Sequence, residues 1–240
     1  MHESAPLQSF PSGGMAVVIG AGGGIGAALV QALEATGGLE AVVGLSRHTK
    51  PALDLLDEDS ICTCAQQVQA RQLPVRLVLD ATGFLHNDIW SPEKSWQQLD
   101  PAHMAHSFAV NAIGPALLMK HFLPLLPRDG KSVFATLSAK VGSIGDNRLG
   151  GWYSYRAAKA ALNQLVHTAA IELKRRHPQA MCIAMHPGTV DTGLSTPFAK
   201  TGLEVRTPAA AAERLLAVIN ALQAEHSGGF INHDGTELPW

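Results

Sequence analysis

Tyr155 and Lys159 stand four residues apart in the run Trp-Tyr-Ser-Tyr-Arg-Ala-Ala-Lys, at the start of an alanine-rich segment. That composition reads as a helix, in which four residues make about one turn, so the phenol and the ammonium share a face. A phenol with an ordinary pKa of about 10 carries protons poorly at neutral pH, and a cation held close favours its ionised form. Such a pair can move a proton to or from a substrate oxygen. Tyrosine and lysine fall four apart in many helices, so the pair gains meaning only from the elements that hold it.

A second candidate group is the turn Gly20-Ala21-Gly22-Gly23-Gly24-Ile25-Gly26, which follows the apolar run 15–20 and leads into Ile25, Leu29, Val30 and Leu33 at helical spacing. Strand, tight turn and helix in that order place Gly20, Gly24, Ile25 and Gly26 where a backbone can come close to a pyrophosphate. The free N–H groups and dipole of the helix start attract its charge. A glycine cluster also serves as a plain tight turn, but its position at the first βα junction is the context a dinucleotide fingerprint requires.

The second strand, 41–45, ends in Ser46-Arg47. Enzymes selective for NAD usually carry an acidic residue there, whereas a guanidinium suits a 2′-phosphate. NADP(H) is therefore expected over NAD(H), against the alternative that Arg47 is a solvated loop cation. Beyond a weak third strand at 53–55, Asp54 and Leu55 are placed against the adenine; Asp54 alternatively caps the next helix.

The remaining pattern alternates helices (60–70, about 102–123, 155 to about 175, 208–224) with strands (75–81, 132–137, 181–185, 229–232). Such alternation implies a single-domain α/β fold, a Rossmann-type doubly wound parallel sheet with helices on both faces. Ligands sit outside the carboxyl ends of its strands, which is where all the groups named here fall. Residues 1–14 read as a flexible N-terminal extension to a domain of 15–240.

At 240 residues, 46% hydrophobic and 16% charged, the chain can bury a large core, and no apolar run near the roughly 18 to 20 residues of a membrane span is evident. A net charge of -2 with no basic stripe argues against nucleic acid or an anionic membrane as the main partner and favours a small molecule. Three cysteines, with Cys62 and Cys64 facing different sides of a helix, and an opening with no secretory pattern predict a reduced, cytoplasmic protein. Eleven histidines form no ligand pair, so no metal is expected.

With these motifs in place, the chain resembles the short-chain dehydrogenase/reductase family along nearly its whole length. The family's Thr-Gly-x-x-x-Gly-x-Gly matches 19–26, with Ile19 for threonine; Asn-Asn-Ala-Gly corresponds to Asp80-Ala81-Thr82-Gly83, which keeps only the glycine. The helix asparagine maps to Asn111, Tyr-x-x-x-Lys to Tyr155 and Lys159, and Pro-Gly-x-Val-x-Thr to Pro187, Gly188, Val190 and Thr192. The stretches Leu-Ser-Ala-Lys-Val-Gly-Ser-Ile-Gly-Asp-Asn, Gly-Gly-Trp-Tyr-Ser-Tyr-Arg and Asp-Gly-Thr-Glu-Leu-Pro-Trp resemble its C-factor and sniffer-type carbonyl reductase branch.

The resemblance implies hydride transfer between a nicotinamide and a carbonyl, with Asn111, Ser138, Tyr155 and Lys159 as the catalytic set and Lys159 lowering the tyrosine pKa. Counting back from Gly142 places Ala139 where the family has its serine, so Ser138 is the nearest candidate and Ser143 the fallback. Ala81, Thr82, Gly83, Pro187, Gly188, Val190 and Thr192 would line the cofactor. Tyr153, turned from Lys159, would pack, and Trp152 would line the pocket. The loop 194–206, with Phe198, Lys200, Leu203 and Arg206, would cover the site. Small residues on the Tyr155 helix suggest a homo-oligomer, dimer or tetramer. The alternative is a dinucleotide-binding signalling or sensor protein of C-factor type with little turnover.

Overall fold

The computed structural model describes residues 7–194 and 205–240. Six parallel strands make one sheet in the order β2-β1-β3-β4-β5-β8: β1 (Met15–Ile19), β2 (Ala41–Leu45), β3 (Val75–Asp80), β4 (Ser132–Leu137), β5 (Ala180–His186) and β8 (Phe230–Asn232). A short parallel pair, β6 (Thr189–Val190) with β7 (Val205–Arg206), stands beside it. Strands β1, β3 and β5 are mostly apolar and carry no exposed residue, as a sheet covered on both faces requires.

Alternation along the strands assigns the faces. Val17, Val78, Phe134 and Cys182 pack beneath α2 (Glu58–Gln69), α4 (Gly114–Phe122) and α5 (Tyr153–Arg176), through Ile61, Phe122 and Leu162. Their neighbours Val18, Leu77, Val133 and Ile183 meet α1 (Gly24–Thr36) and α6 (Pro208–Ala221) through Leu29 and Leu215. The chain crosses from β2 past β1 to β3, so strand order reverses between β1 and β3 and a crevice opens at their carboxyl ends.

Three expectations change. Residues 53–55 form no strand: Leu53 donates its N–H to the Ser46 carbonyl at 2.9 Å, and the Asp54 carboxylate accepts from Leu56 N at 3.0 Å, turning the chain toward α2. The cap of α2 is Asp57, which accepts from Asp59 N and Ser60 N. Residues 7–14 fold onto the domain, with Leu7 and Phe10 buried in the α1/α6 layer.

The stretch Pro101–Leu125 is long and apolar enough to cross a membrane by length and composition, contrary to the expectation from sequence. It is a core element, with Leu118 and Phe122 fully buried beneath the sheet. Nor is it one regular helix: α3 (Pro101–Phe108) passes into the π-helical turn Ala109–Ile113 before α4 begins. Asn111 sits in that turn, and such turns widen a helix by one residue and re-aim its side chains.

Candidate active site

Because every strand of the main sheet runs the same way, Gly20, Ser46, Ala81, Ser138 and Pro187 emerge on one rim. Gly20 has φ +83° and a Cβ there would meet the Ala81 carbonyl at 3.0 Å, so glycine lets β1 and β3 close together at the crevice. Gly26 is stricter: a Cβ would lie 2.1 Å from the Gly20 carbonyl oxygen. The cap residue of α1, Gly23, has no side-chain cap, leaving the helix N–H groups aimed at the rim. Across the turn, a Cβ on Gly24 would touch Thr192 Cγ2 at 3.0 Å, so Thr192, expected to line the cofactor, stands against the glycine turn. This cradle, tight against a Cβ at Gly20, Gly24 and Gly26 and open at a helix start, fits a dinucleotide pyrophosphate.

At the end of β2, Ser46 packs against Gly22, and Arg47 is exposed beside it. His48 also borders Gly22, 4.0 Å from a Cβ there, and donates its N–H to Ser46 Oγ at 3.1 Å; sequence reasoning passed over it. Leu55 packs under Gly114, whose missing side chain admits it. The branch of β6 is held by Val190, 3% exposed, and Gly188 adopts φ +79° against Arg206 and His233.

Tyr155 and Lys159 lie on the inner face of α5, 9% and 2% exposed. The ammonium is 5.9 Å from the phenol ring centroid and donates to the Leu137 carbonyl at 2.8 Å. Gly142, whose Cβ would strike Lys159 Cβ at 2.8 Å, packs tightly on the lysine stem. Burial holds the ammonium down to about 8. Burial also pushes the Tyr155 phenol above its ordinary value, so the expected lowering by Lys159 is not what this arrangement produces. A phenol that stays protonated through the neutral range is an acid.

The start of α5 depends on a residue that the sequence pattern concealed. Trp152 adopts a left-handed conformation and supplies no cap; instead the buried Glu93 accepts from Ser154 N at 3.2 Å and from Ser154 Oγ. His103 Nδ1 lies 3.3 Å from the same carboxylate. Glu93 thus caps from 61 residues away the helix that carries Tyr155. Trp152 in turn packs edge-on against Tyr155, while Tyr153, the first residue of α5, is half-buried.

Asn111 is fully buried and clamps one residue in both directions: Oδ1 accepts from Phe84 N at 2.9 Å and Nδ2 donates to Phe84 O at 2.8 Å. That fixes the loop after Gly83, where a Cβ would sit 3.6 Å from Asn111 Oδ1 and 3.9 Å from Lys159 Nζ. Asn111, Gly83 and Lys159 therefore meet. Ser138, 4% exposed, instead donates its hydroxyl to Asn163 Oδ1 at 2.7 Å, one turn beyond Lys159 on α5. Ser143, also buried, accepts from Asp146 N at 3.0 Å. Of the loop 194–206 expected to cover the site, Leu194, Val205 and Arg206 are described; Phe198, Lys200 and Leu203 lie outside the described residues.

A glycine cradle at a β1/β3 crevice with a tyrosine–lysine face beside it defines a dinucleotide-binding oxidoreductase. The short chain dehydrogenase family model matches residues 14–203, and the chain belongs to that family. C-signal of Myxococcus xanthus is 36% identical over 144 residues, 59% of this chain and 81% of that protein. The structure of NADPH bound carbonyl reductase from chicken fatty liver superposes with a TM-score of 0.83 at 25% identity, covering 96% of this chain and 100% of that one. Carbonyl reductase Sniffer of D. melanogaster shares the fold, with a TM-score of 0.81 at 21% identity over 96% of this chain and 100% of that one.

Proposed function

We propose that this chain is an NADP(H)-dependent reductase of small carbonyl compounds. The observation that carries the reading is the meeting of Lys159, Gly83 and Asn111 beside Tyr155 at the same rim as the glycine cradle. Gly20, Gly24, Ile25 and Gly26 would hold the pyrophosphate, Ser46 and Arg47 the 2′-phosphate, Asp54 and Leu55 the adenine. Ala81, Thr82, Gly83, Pro187, Gly188, Val190 and Thr192 would line the rest. When bound, the reduced nicotinamide supplies a hydride to the carbonyl carbon. Tyr155 gives its phenolic proton to the carbonyl oxygen, so an alcohol forms, and the Lys159 ammonium stabilises the phenolate left behind. Asn111 holds the loop at Gly83 against Lys159. A Ser138 hydroxyl that serves the substrate oxygen must first leave Asn163.

Support for NADP(H) is the exposed Arg47 at the end of β2 and the cofactor named in the chicken reductase structure. The three free cysteines suit a reducing cytoplasm. The outward side of α5, with Ala157, Leu165 and Ile171 exposed, suits a homo-oligomer. The test is purified protein with NADPH and a carbonyl panel, following loss of the reduced nicotinamide signal, with Arg47→Asp expected to shift preference toward NADH. Undiminished turnover in Tyr155→Phe overturns the mechanism. Similarity to C-signal favours a second reading, a dinucleotide-binding signalling protein, whose signature is a tight NADPH complex with no turnover.

A further inference from the structure

Where the family motif has asparagine, this chain has Asp80. The residue ends β3, and strand alternation turns its side chain to the face of Val78, the face covered by α5. In the β3–β4 register Asp80 lies opposite Thr136, and the next residue of β4, Leu137, gives its carbonyl to Lys159 Nζ. Lys159 therefore descends onto the strand position beside the carboxylate.

The surroundings of Asp80 are wired for an anion. Its side chain is 1% exposed and accepts three donors: Thr82 Oγ1 at 2.5 Å and Thr82 N at 3.0 Å on one oxygen, Thr136 Oγ1 at 2.6 Å on the other. Both hydroxyl distances fall in the range of charge-assisted bonds. Burial raises the Asp80 carboxyl above its ordinary value, and the Thr136 and Thr82 donors, together with the Lys159 ammonium, oppose that rise and favour the anion. Facing Lys159 in turn are Asp80 from β3, the Leu137 carbonyl from β4, the neutral Asn111 and Gly83, and Tyr155 on its own helix.

We infer that Asp80 is a positioning residue that keeps Lys159 charged beneath the phenol, so that this chain sets its working pH with a buried carboxylate where an amide would exert no such field. The inference rests on the role given to Lys159 above. It also links Thr82, on the cofactor rim, to the same carboxylate.

The experiment is a titration of the Lys159 side chain by NMR of protein carrying 13C-labelled lysine, the resonance assigned with Lys159→Met. In Asp80→Asn, which keeps the shape and loses the charge, the Lys159 midpoint should fall by about one unit or more below that of the unsubstituted protein. The pH at which kcat declines should fall with it, while the KM for NADPH holds. Thr136→Val, which removes one donor from the carboxylate, should move the midpoint the same way by less, and serves if Asp80→Asn does not fold. An unmoved midpoint in the variants that fold overturns the inference. If the unsubstituted protein turns over no carbonyl, the reductase reading fails, yet the titration still decides the role of Asp80.

Discussion

Two lysines of this protein share a perturbation and differ in everything else. Burial holds the ammonium groups of Lys131 and Lys159 alike at about 8. Lys131 is surrounded by acceptors: the carbonyls of Ile219, Asn220 and Leu222 at 2.8, 2.9 and 2.6 Å, and Ser9 Oγ at 2.8 Å, with the Phe10 ring 4.8 Å away. It closes the carboxyl end of α6, where orphan carbonyls and the helix dipole both call for a cation, and it ties down the N-terminal segment. Lys159 has one protein acceptor among the described residues, the Leu137 carbonyl, and a buried carboxylate near it. An ammonium has three donors, so Lys131 is saturated and Lys159 keeps hydrogens for a ligand. A depressed lysine pKa thus marks burial; the tally of acceptors separates a saturated lysine from one with hydrogens to spare.

The contrast breaks most sharply under Lys159→Met, which should cut turnover by about 10²–10⁴-fold in a carbonyl-reduction assay, while Lys131→Met leaves kcat in place. Equal losses in both would erase the distinction. Next in size, Glu93→Gln loosens the start of α5 and shifts Tyr155, with a fall in kcat of up to about 10²-fold and little change in NADPH affinity by fluorescence titration.

The pH dependence separates the two lysines again. Each native pKa lies below the ordinary 10.5, so between about 8 and 10.5 the unfolded chain holds protons that the folded chain has released. Stability must therefore rise with pH across that window, and below about 8 the full cost of burying each charge is present. Denaturant titrations at several pH values should show a shallower rise in Lys131→Met. Turnover moves oppositely, declining above about 8 as Lys159 loses its charge, and Lys131→Met should leave that decline where it is.

On stability at neutral pH, Lys131→Met should cost about 1.5–3 kcal/mol, the range for hydrogen bonds to a charged group. That lowers the melting temperature by roughly 2–4 °C per kcal/mol for a chain of this size. At the opposite end of α6, Thr207 accepts from Ala210 N at 3.2 Å, and Thr207→Ala should cost a smaller amount, about 0.5–2 kcal/mol. A larger loss at Thr207 than at Lys131 would show that the carboxyl end of α6 needs no buried cation.

The parts of the fold legible in the sequence were those with a local cause. Glycines after an apolar run marked the first βα turn, proline opened α6, and β-branched runs marked the central strands; the Tyr155–Lys159 spacing needed only the pitch of a helix. The third strand at 53–55 misled because a short apolar run carries no sign of which partner takes its N–H groups; here a carbonyl of the Ser46 turn takes that of Leu53. The length of 101–125 likewise concealed that one side lies under the sheet. Ser138 sat at the right strand end, yet its hydroxyl is directed at Asn163, a contact that strand position alone does not reveal.

By itself, then, the sequence determined the order of elements, the parallel sheet, the glycine turn after β1 and the shared face of Tyr155 and Lys159, since periodicity and backbone freedom act over a few residues. Tertiary structure alone decided the rest: Asp80 with Thr136 through strand register, Glu93 on the first turn of α5, Asn111 on Phe84, Lys131 on the end of α6. These partners lie 27 to 91 residues apart. No local preference encodes such pairs; they exist because burying both faces of one sheet brings those polar groups out of water, where each must find the other.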